Sequence, residues 1–452
     1  MIEFFQYVLS FLFAIGILIT FHEYGHFQVA RLCGVKILRF SIGFGKPLWK
    51  RIYGKDNTEL VIAALPLGGY VKMLDEREGK VEQKDLPRSF NQQPLLQRTA
   101  IVLAGPVFNF IFAILAYWVM FMIGLNGLKP EIGEITKESI AYQAGINPDV
   151  EIVTVDEKQT KTWGMVMDIL VNKIVAGDPV TLTVMNSAGQ KSKHTIPANM
   201  VGVDDISGEG LLKKLGINPK KINIPAVIGS VQSNLAADIG GLEVNDEVIG
   251  VNGEKISDWG TWVEMIQASP EKELYVDVIR DGSHITLKLV PKKKILRDGR
   301  TIGFIGAGNL PPEGLFARES YSFFPALLKS IEKTWDMSVL TLRVMGKIIT
   351  GEASYRNLSG PISIAQYAGE SAQGGVASFL WFLGIVSVSL GVLNLLPVPL
   401  LDGGHLLFYL IEFIKGSPVS ESIQLAGQQI GLALLLCLMI LVFYNDITRL
   451  VG

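Results

Sequence analysis

Four long runs without a charged side chain dominate the hydropathy pattern of this chain: Phe4 to Phe21, Thr99 to Leu128, Ser371 to Leu401 and Ser422 to Asn445. Wound as helices, each is long enough for a hydrocarbon core of about 30 Å, so the pattern predicts four membrane spans. The polar stretches between them are unequal. Residues 129–370 form the longest, and alternating segments within it, such as Leu274 to Arg280 and Ile285 to Val290, predict strands. Near its end, Phe323 to Ile349 places Leu327, Leu328, Ile331, Trp335, Val339 and Leu342 on one side and Lys329, Lys333, Arg343 and Lys347 elsewhere. That predicts an amphipathic helix on a bilayer surface or against the neighbouring domains.

The long extramembrane segment repeats itself. At one offset of 96 residues, Ile132-Gly133 matches Ile228-Gly229, Gly145 matches Gly241, Val155 matches Val251 and Trp163 matches Trp259. Each copy reads as a strand (Glu131 to Thr136; Val227 to Gln232), a short helix stopped by a glycine (Ser139 to Ala144; Leu235 to Ile239), a hydrophobic strand and a turn. Asn252-Gly253 marks that turn in the second copy, and a further helix starts at Trp259.

Composition narrows the class. The 452 residues are 49% hydrophobic with net charge −2, which excludes a disordered chain and a polybasic nucleic-acid binder. Residues 31–98 carry 13 Lys and Arg against 7 Asp and Glu, while the stretch before the first run has no basic residue. This predicts a cytoplasmic 31–98 segment and an outer-side 129–370 segment. With Glu3 ahead of it and His22 after it, the first run is expected to be retained rather than cleaved as a signal peptide. Cys33 and Cys437, the two cysteines, predict neither a structural disulfide nor a cysteine-rich zinc site.

The chemistry begins where the first run ends, at His22-Glu23-Tyr24-Gly25-His26. Residues four apart share a helix face, so His22 and His26 can offer two imidazole nitrogens to one zinc ion, and Glu23 lies beside that face, placed to take a proton from a water that the metal acidifies. Zinc wants a third protein ligand, and a local extension fails because Val29 and Leu32 occupy the positions of the expected Gly and His. The segment Asn394-Leu395-Leu396-Pro397-Val398-Pro399-Leu400-Leu401-Asp402-Gly403-Gly404-His405 follows the third span, which runs parallel to the first. Asp402 is therefore the expected ligand and His405 its competitor, with the Gly403-Gly404 pair expected to make a tight turn. Pro397 and Pro399 would interrupt a helix at membrane depth, which is tolerated where backbone lines a cavity or is buried in protein. Asn394 could bond a substrate backbone or serve as an interhelical amide.

These motifs together resemble the site-2 protease family of intramembrane zinc metalloproteases, over essentially the whole chain. The repeats, with Ala141…Gly145-Ile146 and Ala237…Gly241-Leu242, resemble PDZ domains. The resemblance implies a multi-span α-helical membrane protein of four transmembrane helices with two tandem β-rich PDZ-like domains between spans 2 and 3. Its parts would be a first membrane unit (1–126), PDZ-like domains at 127–221 and 222–310, an amphipathic helix region on the periplasmic side (311–370) and a second membrane unit (371–452). It implies one Zn2+ per chain held by His22, His26 and Asp402, with Glu23 as catalytic base. Residues 39–73 resemble the family's membrane-associated β-loop, in which Gly43 and Gly68 would help pair an unwound substrate alongside Asn394, Pro397 and Pro399, although a plain hairpin fits the same glycines. Ser389 stands where Asn is expected in close relatives. The implied activity is hydrolysis of peptide bonds in transmembrane segments of single-span proteins, such as a pre-cleaved anti-sigma factor or signal-peptide remnants, in a bacterial inner membrane with the active site near the cytoplasmic side. The PDZ-like pair would either exclude bulky substrates or bind peptide C-termini, for which Leu215-Gly216-Ile217 and Phe304-Ile305-Gly306-Ala307 resemble carboxylate-binding loops. A PDZ-bearing membrane scaffold without proteolytic activity is the alternative.

Overall fold

The computed structural model describes residues 2–197, 201, 209–221, 223–295, 300–310, 312 and 314–451. The domain boundaries expected at 222 and 311 fall outside the described residues. Four helices are long and apolar enough to cross a membrane: Phe5–Leu32, Leu95–Ile123, Val376–Leu395 and Glu421–Arg449. The first belongs to α1 (Ile2–Leu32), which does not stop at Phe21 but continues unbroken through the histidine motif.

Between the first two spans lie β1 (Ile37–Tyr53) and β2 (Thr58–Met73). They form more than a plain hairpin. Residues 39–42 pair with 59–62 on one side and with 69–72 on the other, while 47–53 pair with 58–63, so the two long strands curl into a sheet of four segments. Gly43 permits the curl: its φ is +89°, and a Cβ there would lie 2.7 Å from the Leu65 carbonyl oxygen. The outer segment, 47–53, exposes Leu48, Trp49, Ile52 and Tyr53.

The second span, α2 (Leu95–Ile123), leads through β3 (Leu125–Leu128) into the first β-rich domain. Its elements are β4 (Glu131–Ile135), α3 (Ile140–Gln143), β5 (Val150–Val155), β6 (Lys158–Gln159), α4 (Trp163–Ala176), β7 (Val180–Asn186), β8 (Lys191–Ile196), α5 (Glu209–Leu215) and β9 (Ile217–Pro219). The second domain repeats this order with β10 (Ile228–Val231), α6 (Ala236–Ile239), β11 (Glu247–Val251), β12 (Glu254–Lys255), α7 (Trp259–Gln267), β13 (Leu274–Arg280) and β14 (Ser283–Leu289), then adds β15 (Lys292–Ile295), β16 (Thr301–Phe304) and β17 (Ala307–Asn309). The sheet order is β8-β7-β5-β4-β9 in the first; the second has β12-β11-β13-β14 and a separate β10-β17 pair. Each encloses its own apolar core, one around Ile132, Ile152, Leu170 and Leu182, the other around Ile228, Trp262, Val276 and Val278. The Asn252-Gly253 turn has both residues at positive φ, as a tight hairpin between β11 and β12 requires. In the first domain Asp156 and Glu157 occupy the same two positions, also at positive φ.

After β18 (Phe316–Glu319), which pairs with β3, the chain enters the amphipathic helix α8 (Phe323–Thr350). Its apolar stripe, including Phe324, Leu328, Ile331, Trp335 and Leu342, points outward. The face against the protein is small and polar instead: Ala326, Ser330, Lys333 and Thr334 are buried. Lys333 reaches Asp168 of α4 at 2.6 Å and Glu332 reaches Lys158 at 2.6 Å, tying the first domain to α8 across a cavity of about 610 Å³.

The remaining helices are α9 (Pro361–Gln373), α10 (Val376–Leu395), α11 (Asp402–Lys415) and α12 (Glu421–Val451). The third apolar run is thus divided: Gly375, at φ +93°, separates the end of α9 from the spanning α10. The C-terminal part of α12 is anchored by Asp446, whose carboxylate accepts from the amides of Gly360 and Ile362 at 3.0 and 2.8 Å and from the Ser363 hydroxyl at 2.6 Å, satisfying the open N-terminus of α9. Spans α2 and α10 approach closely through small residues, as helices do in lipid. A Cβ on Gly384 would sit 2.4 Å from the Tyr117 ring, and Ser387 Oγ donates to the Asn109 carbonyl at 2.7 Å. Gly384→Leu should therefore force the two helices apart and cost about 1–3 kcal/mol, read as a melting temperature several degrees lower for the detergent-solubilised protein. An unchanged melting temperature would show that this contact does not hold the core.

Candidate metal centre on the first span

The helical spacing in α1 brings His22 and His26 together with their rings nearly perpendicular, at an interplanar angle of 84° and a centroid separation of 4.9 Å. The Nε2 atoms lie 3.3 Å apart. Asp402, the first residue of α11, completes the triangle, with one carboxylate oxygen 3.3 Å from His22 Nε2 and the other 3.5 Å from His26 Nε2. Among the described residues, one group of His, Cys, Asp or Glu side chains is close enough to share a cation, and it is this one.

The spacing fits zinc. Tetrahedral ligands at zinc–nitrogen and zinc–oxygen distances of about 2.0–2.1 Å are separated by about 3.3–3.4 Å, which matches the Nε2–Nε2 separation and the approach of each Asp402 oxygen to its nearer imidazole to within roughly 0.2 Å. Two further observations fit. Asp402 has an oxygen that is buried without a hydrogen-bond donor. Burial disfavours its carboxylate, but the adjacent His22 and His26 outweigh burial and hold the group ionised below the ordinary carboxylate range. Gly105 of α2 floors the cluster, since a Cβ there would lie 2.3 Å from His26 Nε2 and 2.7 Å from His22 Cε1.

Each member is held by its surroundings. His26 Nδ1 is 2.8 Å from the Ile101 carbonyl oxygen, and His22 Nδ1 is 3.1 Å from the side-chain amide of Asn109. Asp402 is set by α11, which is clamped to α2 by Arg98 and Glu412 at 2.6 and 3.2 Å, with the guanidinium also over the Tyr409 ring. Glu23 faces the curled sheet. Its side chain lies against Gly69, where a Cβ would be 3.0 Å from Glu23 Cγ, and the Val71 backbone hydrogen-bonds its carboxylate.

The glycines after Asp402 act differently from expectation. Gly403 and Gly404 make no left-handed turn. They lie in the first turn of α11 because a Cβ on Gly403 would meet the Leu396 carbonyl oxygen at 2.1 Å and one on Gly404 the Val398 carbonyl oxygen at 2.6 Å. The left-handed residue is Leu400, at φ +95°. His405, the competing ligand, is on α11 but outside the three-residue cluster.

Of the residues expected to meet substrate, Asn394 is half-buried in the last turn of α10, and Pro397 and Pro399 lie in the nonhelical segment between α10 and α11. Pro399 packs against α12, where a Cβ on Gly431 would strike its carbonyl oxygen. Gly68, at φ +146°, packs on Phe44 within the sheet, and the glycine that meets α1 is its neighbour Gly69. Ser389 is half-buried within α10. Asn109, Gly105 and the Arg98–Glu412 clamp were not foreseen. Asn109 alone carried a visible signal, as an amide within an uncharged span.

The sequence matches Peptidase family M50 over residues 10–438. It is 45% identical to the regulator of sigma-E protease RseP of Escherichia coli (strain K12), covering 100% of both chains. It is 42% identical to a putative zinc metalloprotease of Vibrio cholerae and 40% identical to a regulator of sigma E protease of Haemophilus influenzae, in each case covering 98% of both chains. The inactive-scaffold alternative is thereby set aside. With four apolar helices of spanning length and a zinc-compatible cluster built on the first, the chain belongs to Peptidase family M50 and is a zinc metalloprotease of the membrane.

Proposed function

We propose that the protein cleaves transmembrane segments of single-span proteins, with His22 and His26 holding zinc through Nε2, Asp402 through its carboxylate, and Glu23 acting as general base. One observation carries this reading above the rest: two imidazole nitrogens 3.3 Å apart and the carboxylate that reaches both of them, immediately beside the half-buried Glu23, on a helix of membrane-spanning length. Zinc supplies the Lewis acidity that brings the pKa of a water molecule to about 7 and polarises the scissile carbonyl. Glu23 takes the proton of the attacking water and returns it to the leaving amine. Its closeness to Gly69 and Val71 puts it between the cluster and the sheet.

A transmembrane helix hides its carbonyls, so the substrate must unwind locally and find new backbone partners. The curled sheet of residues 37–73 would provide them by strand addition, with Gly43 and Gly68 shaping it and Asn394 bonding the substrate from the opposite wall. Pro397 and Pro399 keep the tightly turned α10–α11 segment out of helix there and contribute no competing amide donors.

The relatives' names point to sigma-E regulation, so the substrate we favour is a membrane-bound anti-sigma factor already shortened by another protease, with signal-peptide remnants as a second group. The excess of Lys and Arg over residues 31–98 supports an inner-membrane orientation with the site near the cytoplasm and the β-rich domains in the periplasm. Those domains are proposed to be PDZ-like. Gly216 and Gly306, at φ +76° and +79°, precede β9 and β17 in equivalent loops and press against Ser139 and Leu235, which are themselves related by the 96-residue offset.

Cleavage of a single-span substrate lacking its outer domain, by the full chain in proteoliposomes, tests the reading. Glu23→Gln should lower the rate by about 10²–10⁴-fold with zinc content unchanged, and Asp402→Asn should lower both. Persisting cleavage by Glu23→Gln would refute the role of Glu23. Separately, Gly105→Ala should displace His26 and reduce zinc per chain at unchanged helix content by circular dichroism; full zinc loading would contradict the proposed cradle.

A further inference from the structure

Two histidines of this cluster are supported unequally. His26 Nδ1 faces a carbonyl oxygen, that of Ile101 at 2.8 Å, which can only accept; the ring therefore carries its proton on Nδ1 and leaves the Nε2 lone pair for a metal. His22 Nδ1 instead faces the Asn109 side-chain amide, on the side assigned to its NH2, at 3.1 Å. That orientation would make His22 Nδ1 an acceptor and put the ring proton on Nε2, the atom that points at Asp402 and His26.

Asn109 is 1% exposed, and its side-chain oxygen is buried without a hydrogen-bond donor. An amide has nearly the same shape when turned by 180° about its last bond, so which end is oxygen follows from the hydrogen bonds. Turning it removes the oxygen from a place that offers it no donor and presents it to His22 Nδ1–H. The side chain is in place to do this. Gly105, one turn away on α2, touches both imidazoles, and the Asn109 carbonyl is fixed by Ser387 of α10 at 2.7 Å.

We propose that Asn109 is a positioning residue of the metal site: its side-chain oxygen accepts the Nδ1–H of His22, matching what the Ile101 carbonyl does for His26, so that both Nε2 lone pairs face the same point. This rests on the reading of His22 as a zinc ligand. Hydrogen bonds of this kind orient the ring and raise its basicity, and their loss typically weakens metal binding by about 10–100-fold. A purely interhelical amide would tolerate an isosteric apolar residue at the same packing without any effect on the metal.

The test is zinc affinity by competition with a chelator, and the visible spectrum of the cobalt-substituted full chain, for Asn109→Asp and Asn109→Leu. Asp can accept and cannot donate, so Asn109→Asp should keep affinity within about threefold of wild type and keep the cobalt spectrum. Asn109→Leu should bind zinc about 10–100-fold more weakly with an altered spectrum. Wild-type affinity in Asn109→Leu would overturn the proposal. Equal damage in both variants would also overturn it, because the amide would then be acting as donor. If Asn109→Leu does not fold, nitrogen-15 spectra of the histidine rings in the zinc-loaded wild type decide the matter: a proton on His22 Nδ1 coupled to Asn109 supports it, and a bare Nδ1 refutes it. Asp402→Asn is run alongside. Unchanged affinity there would mean that the ligand set itself is wrong, a failure distinguishable from that of Asn109.

Discussion

The close approach of α1 to α2 is the contact on which the rest of the site depends. Gly25 lets α1 lie so near that a Cβ would fall 2.4 Å from the Ala104 carbonyl oxygen, and Gly105 answers from α2 by leaving room for both imidazoles. In lipid no hydrophobic effect drives two helices together, so van der Waals contact through small residues and a few hydrogen bonds must do so. Here the same surfaces that bring the helices together also floor the metal cluster. Moving α2 away by the width of a methyl group would release the Ile101 bond to His26 and the Asn109 contact with His22 together.

The third ligand arrives by a different route, through a segment that cannot be helical. Pro397 and Pro399 break the chain after α10, Leu400 takes a left-handed conformation, and α11 restarts at Asp402. The Arg98–Glu412 clamp then secures α11 to the same helix, α2, that carries Gly105 and Asn109. One helix thus references every proposed ligand. The β-rich domains lie beyond the other end of α2, joined to it through β3 and to α8 through the Lys333–Asp168 pair.

Much of this was legible along the chain because its signals are local or periodic. The H-E-x-x-H spacing, the four uncharged runs and the 96-residue offset each follow from a single repeat length. What escaped were contacts between distant residues. Gly105 and Gly403 look like ordinary glycines until the opposing His26 ring and Leu396 carbonyl are placed against them. For α8 the sequence left open whether its apolar stripe meets a bilayer surface or the domains; the stripe points outward, because the face against the first domain is taken by small residues and by Lys333, which pairs with Asp168. The repeat also conceals chemical divergence: Asp246 of the second domain is fully buried and pairs at 2.7 Å with Arg280, the last residue of β13, whereas at the equivalent place in the first the buried Val150 lies opposite Asn186, the last residue of β7.

X-ray absorption at the zinc edge of the purified full chain would examine the central claim most directly. The account predicts one zinc per chain with two imidazole nitrogens at about 2.0–2.1 Å, oxygen ligands completing a four-coordinate shell, and no sulfur. A shell containing sulfur, a single imidazole, or zinc retained with the same spectrum in Asp402→Asn would contradict it.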